Sequence, residues 1–151
     1  MNSAVYRTSY GLFSVTCDDD LLTEIRRVYN EDLPSEPSPA TDRVFEQLQE
    51  YFAGRRKVFE LKYRIEGTPF RRKVLQALSE VPYGETRSYR DLAVAAGYPK
   101  AQRAVGNIMH TNKLMLVLPC HRIIKSDGKL GGYAGDEDLK LALLELEQQY
   151  K

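Results

Sequence analysis

The hydrophobic pattern of this 151-residue chain changes character once, near Glu66-Gly67, and that change divides the fold into two differently built parts. Upstream, short stretches alternate with period two. Val5, Arg7 and Ser9 alternate with Tyr6, Thr8 and Tyr10, and Leu12 to Thr16 follows a turn at Gly11, so the first 30 residues read as short antiparallel strands. The Pro- and Ser-rich segment 33–40 is a loop, and Ser38-Pro39 opens one amphipathic helix carrying Val44, Leu48 and Phe52, stopped at Gly54. Period two then returns over Lys57 to Ile65, with Phe59, Leu61, Tyr63 and Ile65 on one face, which predicts a further strand.

Downstream the signals are mostly helical. Thr68-Pro69 is a capping residue followed by proline at the first helical position, and Phe70, Val74, Leu78 and Val81 make that helix's buried stripe. Ser88 and Asp91 have capping-box spacing for a short helix ending at Gly97. Pro99 restarts a helix through roughly His110, and two helices around Gly97 imply a helix-turn-helix. The apolar run Leu114 to Leu118 reads as buried extended chain leading to Cys120, and Leu139, Leu143 and Leu146 define a last helix. The expected architecture is α+β: a sheet-plus-helix domain over 1–65 and a mainly helical domain over 66–151.

A net charge of +1 conceals an asymmetry. Residues 1–50 carry 4 basic and 10 acidic side chains, residues 51–130 carry 16 and 6, and residues 131–151 carry 2 and 5. A concentrated basic segment suggests a polyanion partner, although a solvated basic face is the simpler explanation. No apolar run approaches the ~18 residues needed to cross a bilayer, and no secretory signal pattern opens the chain. A cytoplasmic protein without a membrane partner is therefore expected. Two cysteines, Cys17 and Cys120, match neither a disulfide framework nor a zinc-ligand spacing, so free thiols and no metal are expected.

Leu118-Pro119-Cys120-His121-Arg122 is the most specific chemical feature. An imidazole and a guanidinium beside a thiol can favour its thiolate, the nucleophilic form. On an extended strand neighbouring side chains point to opposite faces, so the pair needs a turn or a bridging water to cooperate.

The C-terminal half resembles the O6-alkylguanine-DNA alkyltransferase family over roughly residues 66–148. The resemblance runs through Gly67-Thr68-Pro69-Phe70, Pro82-Tyr83-Gly84-Glu85-Thr86, Ser88-Tyr89, Arg103-Ala104-Val105-Gly106, Asn112, Pro119-Cys120-His121-Arg122 and Gly132-Tyr133, in the family's order and spacing. It implies that Cys120 accepts the alkyl group irreversibly, that His121 removes the thiol proton through a water, and that Glu147 orients the imidazole. Asn112 would hold the turn between the helix-turn-helix and the site, and Tyr89 would meet the charge developing on guanine. Tyr133 would stack on the base, the Ala134 amide would face the guanine oxygen, and Met109 and Ile123 would line the pocket. Relative to family members that carry serine at this position, Ala134 lacks a hydroxyl but keeps the amide. Arg103 would fill the gap left by the extruded nucleotide, with Ala101, Ala104 and Gly106 allowing close approach in the minor groove.

The implied activity is a single-turnover transfer from O6-alkylguanine, and from O4-alkylthymine, in double-stranded DNA to Cys120, by a monomer with no cofactor. Some relatives hold zinc in the N-terminal domain; only Cys17 is available there, with no histidine before His110, so a structural zinc is not expected and the domain would support and shield the other. A non-catalytic alkylguanine-DNA-binding protein is the alternative, set against by Cys120, since such relatives lack the acceptor cysteine. A thiol hydrolase would leave the DNA-binding helix unexplained.

Overall fold

The structure, a computed structural model, describes residues 1–132 and 136–151. Tyr133 and Ala134 lie outside the described residues. The chain folds as two units, Met1–Arg64 and Ile65–Lys151.

The first unit is a three-stranded antiparallel sheet, β1 (Asn2–Thr8), β2 (Gly11–Asp18) and β3 (Leu21–Val28), followed by α1 (Pro39–Phe52). Ser9-Tyr10 makes the first hairpin, and Gly11 adopts φ +108°, a conformation open to glycine because it lacks a Cβ. In β3, Thr16 pairs with Glu24 but Cys17 pairs with Leu22, leaving Thr23 as an extra residue. This bulge lets Leu22 and Ile25, three apart, both turn inward with Phe13, Val15 and Cys17. It also breaks the period-two signature of the third strand.

Helix α1 begins at a reciprocal Ser38–Thr41 cap and packs Val44, Leu48, Tyr51 and Phe52 against the sheet, with Phe52 and Phe13 rings 5.4 Å apart. The expected strand at Lys57 to Ile65 does not form. The segment runs extended, with alternating half-buried residues as expected, but it lacks a continuous ladder. Leu22 N donates to Lys62 O, and the Gln47 carboxamide accepts from Glu60 N and donates to Glu60 O. A side chain on α1 thus takes the place of a neighbouring strand.

The second unit contains α2 (Pro69–Ser79), α3 (Tyr89–Ala95), α4 (Gln102–His110) and α5 (Glu137–Tyr150), with a two-residue parallel pairing of β4 (Arg87–Ser88) and β5 (Ile123–Ile124). Thr68 caps α2, and the Ser88–Asp91 capping box starts α3. Gly97 at φ +90° ends α3, with the Tyr98 and Gly97 amides donating to Ala93 O and Val94 O. Helix α4 begins at Gln102, not at Pro99. Ala101 N donates to Tyr98 O, closing a turn that leaves Ala101 outside the helix as its N-cap.

Among the described residues no helix is long and apolar enough to cross a membrane.

Candidate active site

Cys120 is delivered by a turn. The run Leu114 to Leu118 is buried as expected but is not extended: Leu118 N donates to Leu114 O at 2.8 Å, and Leu116 adopts φ +74°. Leu114, Leu116 and Leu118 point into the core, so their burial holds this uncommon conformation for a branched side chain. Cys120–Arg122 then forms one 3-10 turn, in which Arg122 N donates to Pro119 O at 2.9 Å. This is the turn an adjacent cysteine and histidine require.

All three side chains of that turn are buried, and α5 meets them with Glu147, itself 1% exposed. His121 Nε2 lies 2.7 Å from Glu147 Oε2. Arg122 donates from Nε to Oε1 and from Nη2 to Oε2, each at 2.9 Å, and from Nη1 to Val81 O at 2.8 Å. Gly84 N adds a donor to Oε1 at 3.1 Å. The guanidinium therefore faces the carboxylate rather than acting as the thiol's own partner, as adjacency in sequence had suggested.

Burial opposes ionisation of Glu147, but the hydrogen bonds and charges of His121 and Arg122 outweigh it and hold the carboxyl well below the usual carboxylate range. Burial also lowers the proton affinity of His121; Glu147 acts in the opposite sense, and Arg122 and Lys140 reinforce the burial. Both shifts favour an ionised Glu147, paired to Arg122, beside an uncharged imidazole, which in its Nε2–H tautomer donates to that carboxylate.

Asn112, just past α4, connects this cluster to the helix-turn-helix. Its Nδ2 donates to Leu118 O at 3.0 Å and to Cys120 Sγ at 3.2 Å, while its Oδ1 accepts from Leu114 N at 3.0 Å. An asparagine offers the donor and acceptor on one rigid amide that this arrangement uses.

A cavity of about 560 Å³ opens nearby, lined in part by Tyr89, Arg103, Gly106, His110, Gly131 and Gly132. Tyr89 is half-buried, and burial, with a smaller contribution from Cys120, raises its proton affinity, so the phenol stays a donor. A Cβ at Gly106 would sit 4.0 Å from the Tyr89 ring, and one at Gly131 would come within 2.8 Å of its hydroxyl. Arg103 and Ala104 are exposed on α4. Met109 and Ile123 are buried, at 8% and 0% exposure, in the core.

Two functional candidates escaped the sequence reading. Arg71 on α2 donates to Thr111 Oγ1 at 2.7 Å and to Thr111 O at 2.9 Å, bracing the end of α4. Lys140 is fully buried, and its ammonium donates to the carbonyls of Ile123, at 2.6 Å, Leu130 and Gly132. The signal available was helical spacing, since Lys140, Leu143 and Glu147 lie on one face of α5. Burial depresses the Lys140 pKa from its ordinary 10.5 to about 8, with Cys120 and Glu137 opposing that shift.

The unfolded chain therefore binds the Lys140 proton more tightly than the folded one. Between about pH 8 and the ordinary 10.5, the unfolded state carries more protons, so this residue makes stability rise with pH across that window. Denaturant unfolding at about pH 7.5 and about pH 9.5 should show that rise in the native protein and a flatter response in Lys140→Met. Equal pH responses in the two proteins would refute it.

These features define a class: an α+β protein whose helix-turn-helix unit encloses a buried cysteine beside a histidine–glutamate pair. Residues 69–149, more than half of the chain, match the family 6-O-methylguanine DNA methyltransferase, DNA binding domain. The chain belongs to the methylated-DNA–protein-cysteine methyltransferase, or O6-alkylguanine-DNA alkyltransferase, family. It is 42% identical over 156 residues to the methylated-DNA–protein-cysteine methyltransferase of Mycolicibacterium paratuberculosis, covering 96% of this chain and 93% of that one. The corresponding Methanosarcina barkeri protein is 51% identical over 102 residues, which span 68% of this chain and 65% of the relative. The fold superposes on Mycobacterium tuberculosis OGT in complex with DNA with a TM-score of 0.91 at 35% identity, covering 99% of this chain and 94% of that one.

Proposed function

We propose that this protein repairs O6-alkylguanine in duplex DNA by moving the alkyl group to its own Cys120. The observation that carries the reading is the hydrogen bond from Asn112 to Cys120, which ties a buried thiol to the end of the second helix of a helix-turn-helix. His121, with its Nε2–H on Glu147, removes the thiol proton through a water, as a neutral imidazole can. Cys120 Sγ then bonds to the alkyl carbon as the carbon–O6 bond breaks, and that electron pair moves onto the guanine. Tyr89 donates to the base as this charge develops. The product thioether has no activated carbonyl for water to attack, so each molecule reacts once.

Met109 and Ile123 back the pocket wall, Tyr133 and Ala134 contact the base, and O4-alkylthymine reacts by the same displacement. Residues 66–151 carry this chemistry, and the protein enters DNA through the minor groove as a monomer. The test is transfer of label from an O6-methylguanine duplex, with mass spectrometry of the adduct. One equivalent on Cys120 is expected; repeated turnover, or an adduct on Cys17, would reject the reading.

Arg103, exposed on α4 and lining the cavity, occupies the space of the extruded nucleotide, with Ala101, Ala104 and Gly106 giving the backbone close approach. Only duplex DNA requires unstacking and unpairing, at a cost of a few kcal/mol. Arg103→Ala should therefore slow repair of duplex DNA by about tenfold or more while changing reaction with free O6-benzylguanine far less. Arg103→Lys should recover part of the loss, since it keeps the charge but not the planar stacking group. Equal slowing on both substrates, measured at matched salt, would return Arg103 to a structural role.

A further inference from the structure

Arg122 lies one residue from the base and two from the nucleophile, yet its side chain is directed elsewhere. Its guanidinium grips both oxygens of Glu147 and the carbonyl of Val81, and lies 5.6 Å from the centre of the Tyr83 ring. Glu147 Oε2 is thereby shared between Arg122 Nη2 and His121 Nε2. A carboxylate that served His121 alone would stabilise the imidazolium strongly. One whose charge is already met by a bidentate guanidinium orients the ring while giving much less support to its protonated form.

We propose that Arg122 is a positioning residue which, by occupying both oxygens of Glu147, keeps the His121 ring oriented but neutral over the pH range in which the protein works. The inference rests on the reading of His121 as the base that takes the Cys120 proton. The charge balance at the site supports it. The charged groups acting on His121 are Arg122 from its own turn and Glu147 and Lys140 from α5; Tyr83 lies against the guanidinium, and Tyr89 on α3 acts on Cys120, the neighbour of His121 in the chain. Arg122 and Glu147 cancel. A proton added to His121 would then stand beside the buried Lys140 ammonium in a region shielded from water, where like charges repel strongly. Removing Arg122 reverses that balance, leaving Glu147 to pair with an imidazolium.

Single-turnover transfer to Cys120 and the imidazole 15N shifts of His121, followed together from about pH 5 to about pH 9, test this in the whole protein. In the native protein His121 should titrate below the ordinary imidazole range, and transfer should keep its rate down to about pH 6. In Arg122→Met the His121 titration should move up into the region around neutral pH, so that transfer at about pH 6 falls severalfold relative to about pH 8. Arg122→Lys keeps a charge but cannot bridge both oxygens, and should show a smaller shift in the same direction. Loss by the same factor at every pH, with His121 titrating as in the native protein, would overturn the proposal and leave Arg122 a packing residue. If Arg122→Met does not fold, an unshifted His121 titration in Arg122→Lys overturns it equally. Absence of label on Cys120 in the native protein would count against the alkyl-transfer reading instead, because the His121 titration reports on Arg122 whether or not transfer occurs.

Discussion

Cys120→Ser is expected to lower alkyl transfer by at least about three orders of magnitude, since an alcohol is far less acidic than a thiol and far weaker as a nucleophile. Serine is the informative replacement because it can still accept the hydrogen bond that Asn112 gives to Cys120, at 3.2 Å in the native protein. The turn and the helix-turn-helix should therefore keep their geometry, and binding to duplex DNA should change little. Cys17 cannot substitute: it is 1% exposed in the first unit, and burial raises its pKa, holding it as an unreactive thiol. Label transfer and DNA binding, measured on one preparation, separate these effects. Transfer above one tenth of the native level would refute the assignment, and loss of DNA binding in step with transfer would indicate a folding defect.

Glu147→Ala should cost stability as well as activity. It removes the carboxylate that meets Arg122 and His121, which are 7% and 0% exposed, and takes its counter-charge from a buried guanidinium. Breaking a buried pair from one side typically costs about 3–5 kcal/mol, far more than a surface ion pair provides. The Gly84 amide also loses its acceptor, so the Val81–Gly84 turn should loosen with the site. Chemical denaturation, read by a probe in the second unit, would measure the loss. A double change of Arg122 and Glu147 to apolar residues of similar volume should recover much of that stability but no transfer, because two buried charges then vanish together. A destabilisation under about 1 kcal/mol for Glu147→Ala would mean that water or another group takes over the carboxylate's role.

The sequence by itself determined what depends on neighbours a few residues apart. Ser38, Thr68 and Ser88 cap α1, α2 and α3, because each hydroxyl has only to reach an amide three residues on. The Pro119-Cys120-His121-Arg122 motif and its order relative to Arg103 and Asn112 likewise required nothing beyond the chain itself. Local reading failed where a side chain from elsewhere intervened. Gln47 satisfies the backbone at Glu60, so an alternating segment runs extended without becoming a strand. The Thr23 bulge hid β3 from a period-two reading, and core burial of Leu116 folded an apolar run into a turn.

Tertiary structure also decided the chemistry of the site. His121 and Glu147 are 26 residues apart, and no spacing rule could show that the carboxylate would be shared with Arg122 or that the guanidinium would turn away from the thiol beside it. Lys140 reads in sequence as an ordinary helix lysine; its full burial follows from where α5 meets the Ile123 and Leu130–Gly132 carbonyls. The reason is energetic. Caps and turns depend on contacts that close within a few residues, whereas the charge state of a buried imidazole depends on every group that packing places around it and on the water that packing excludes.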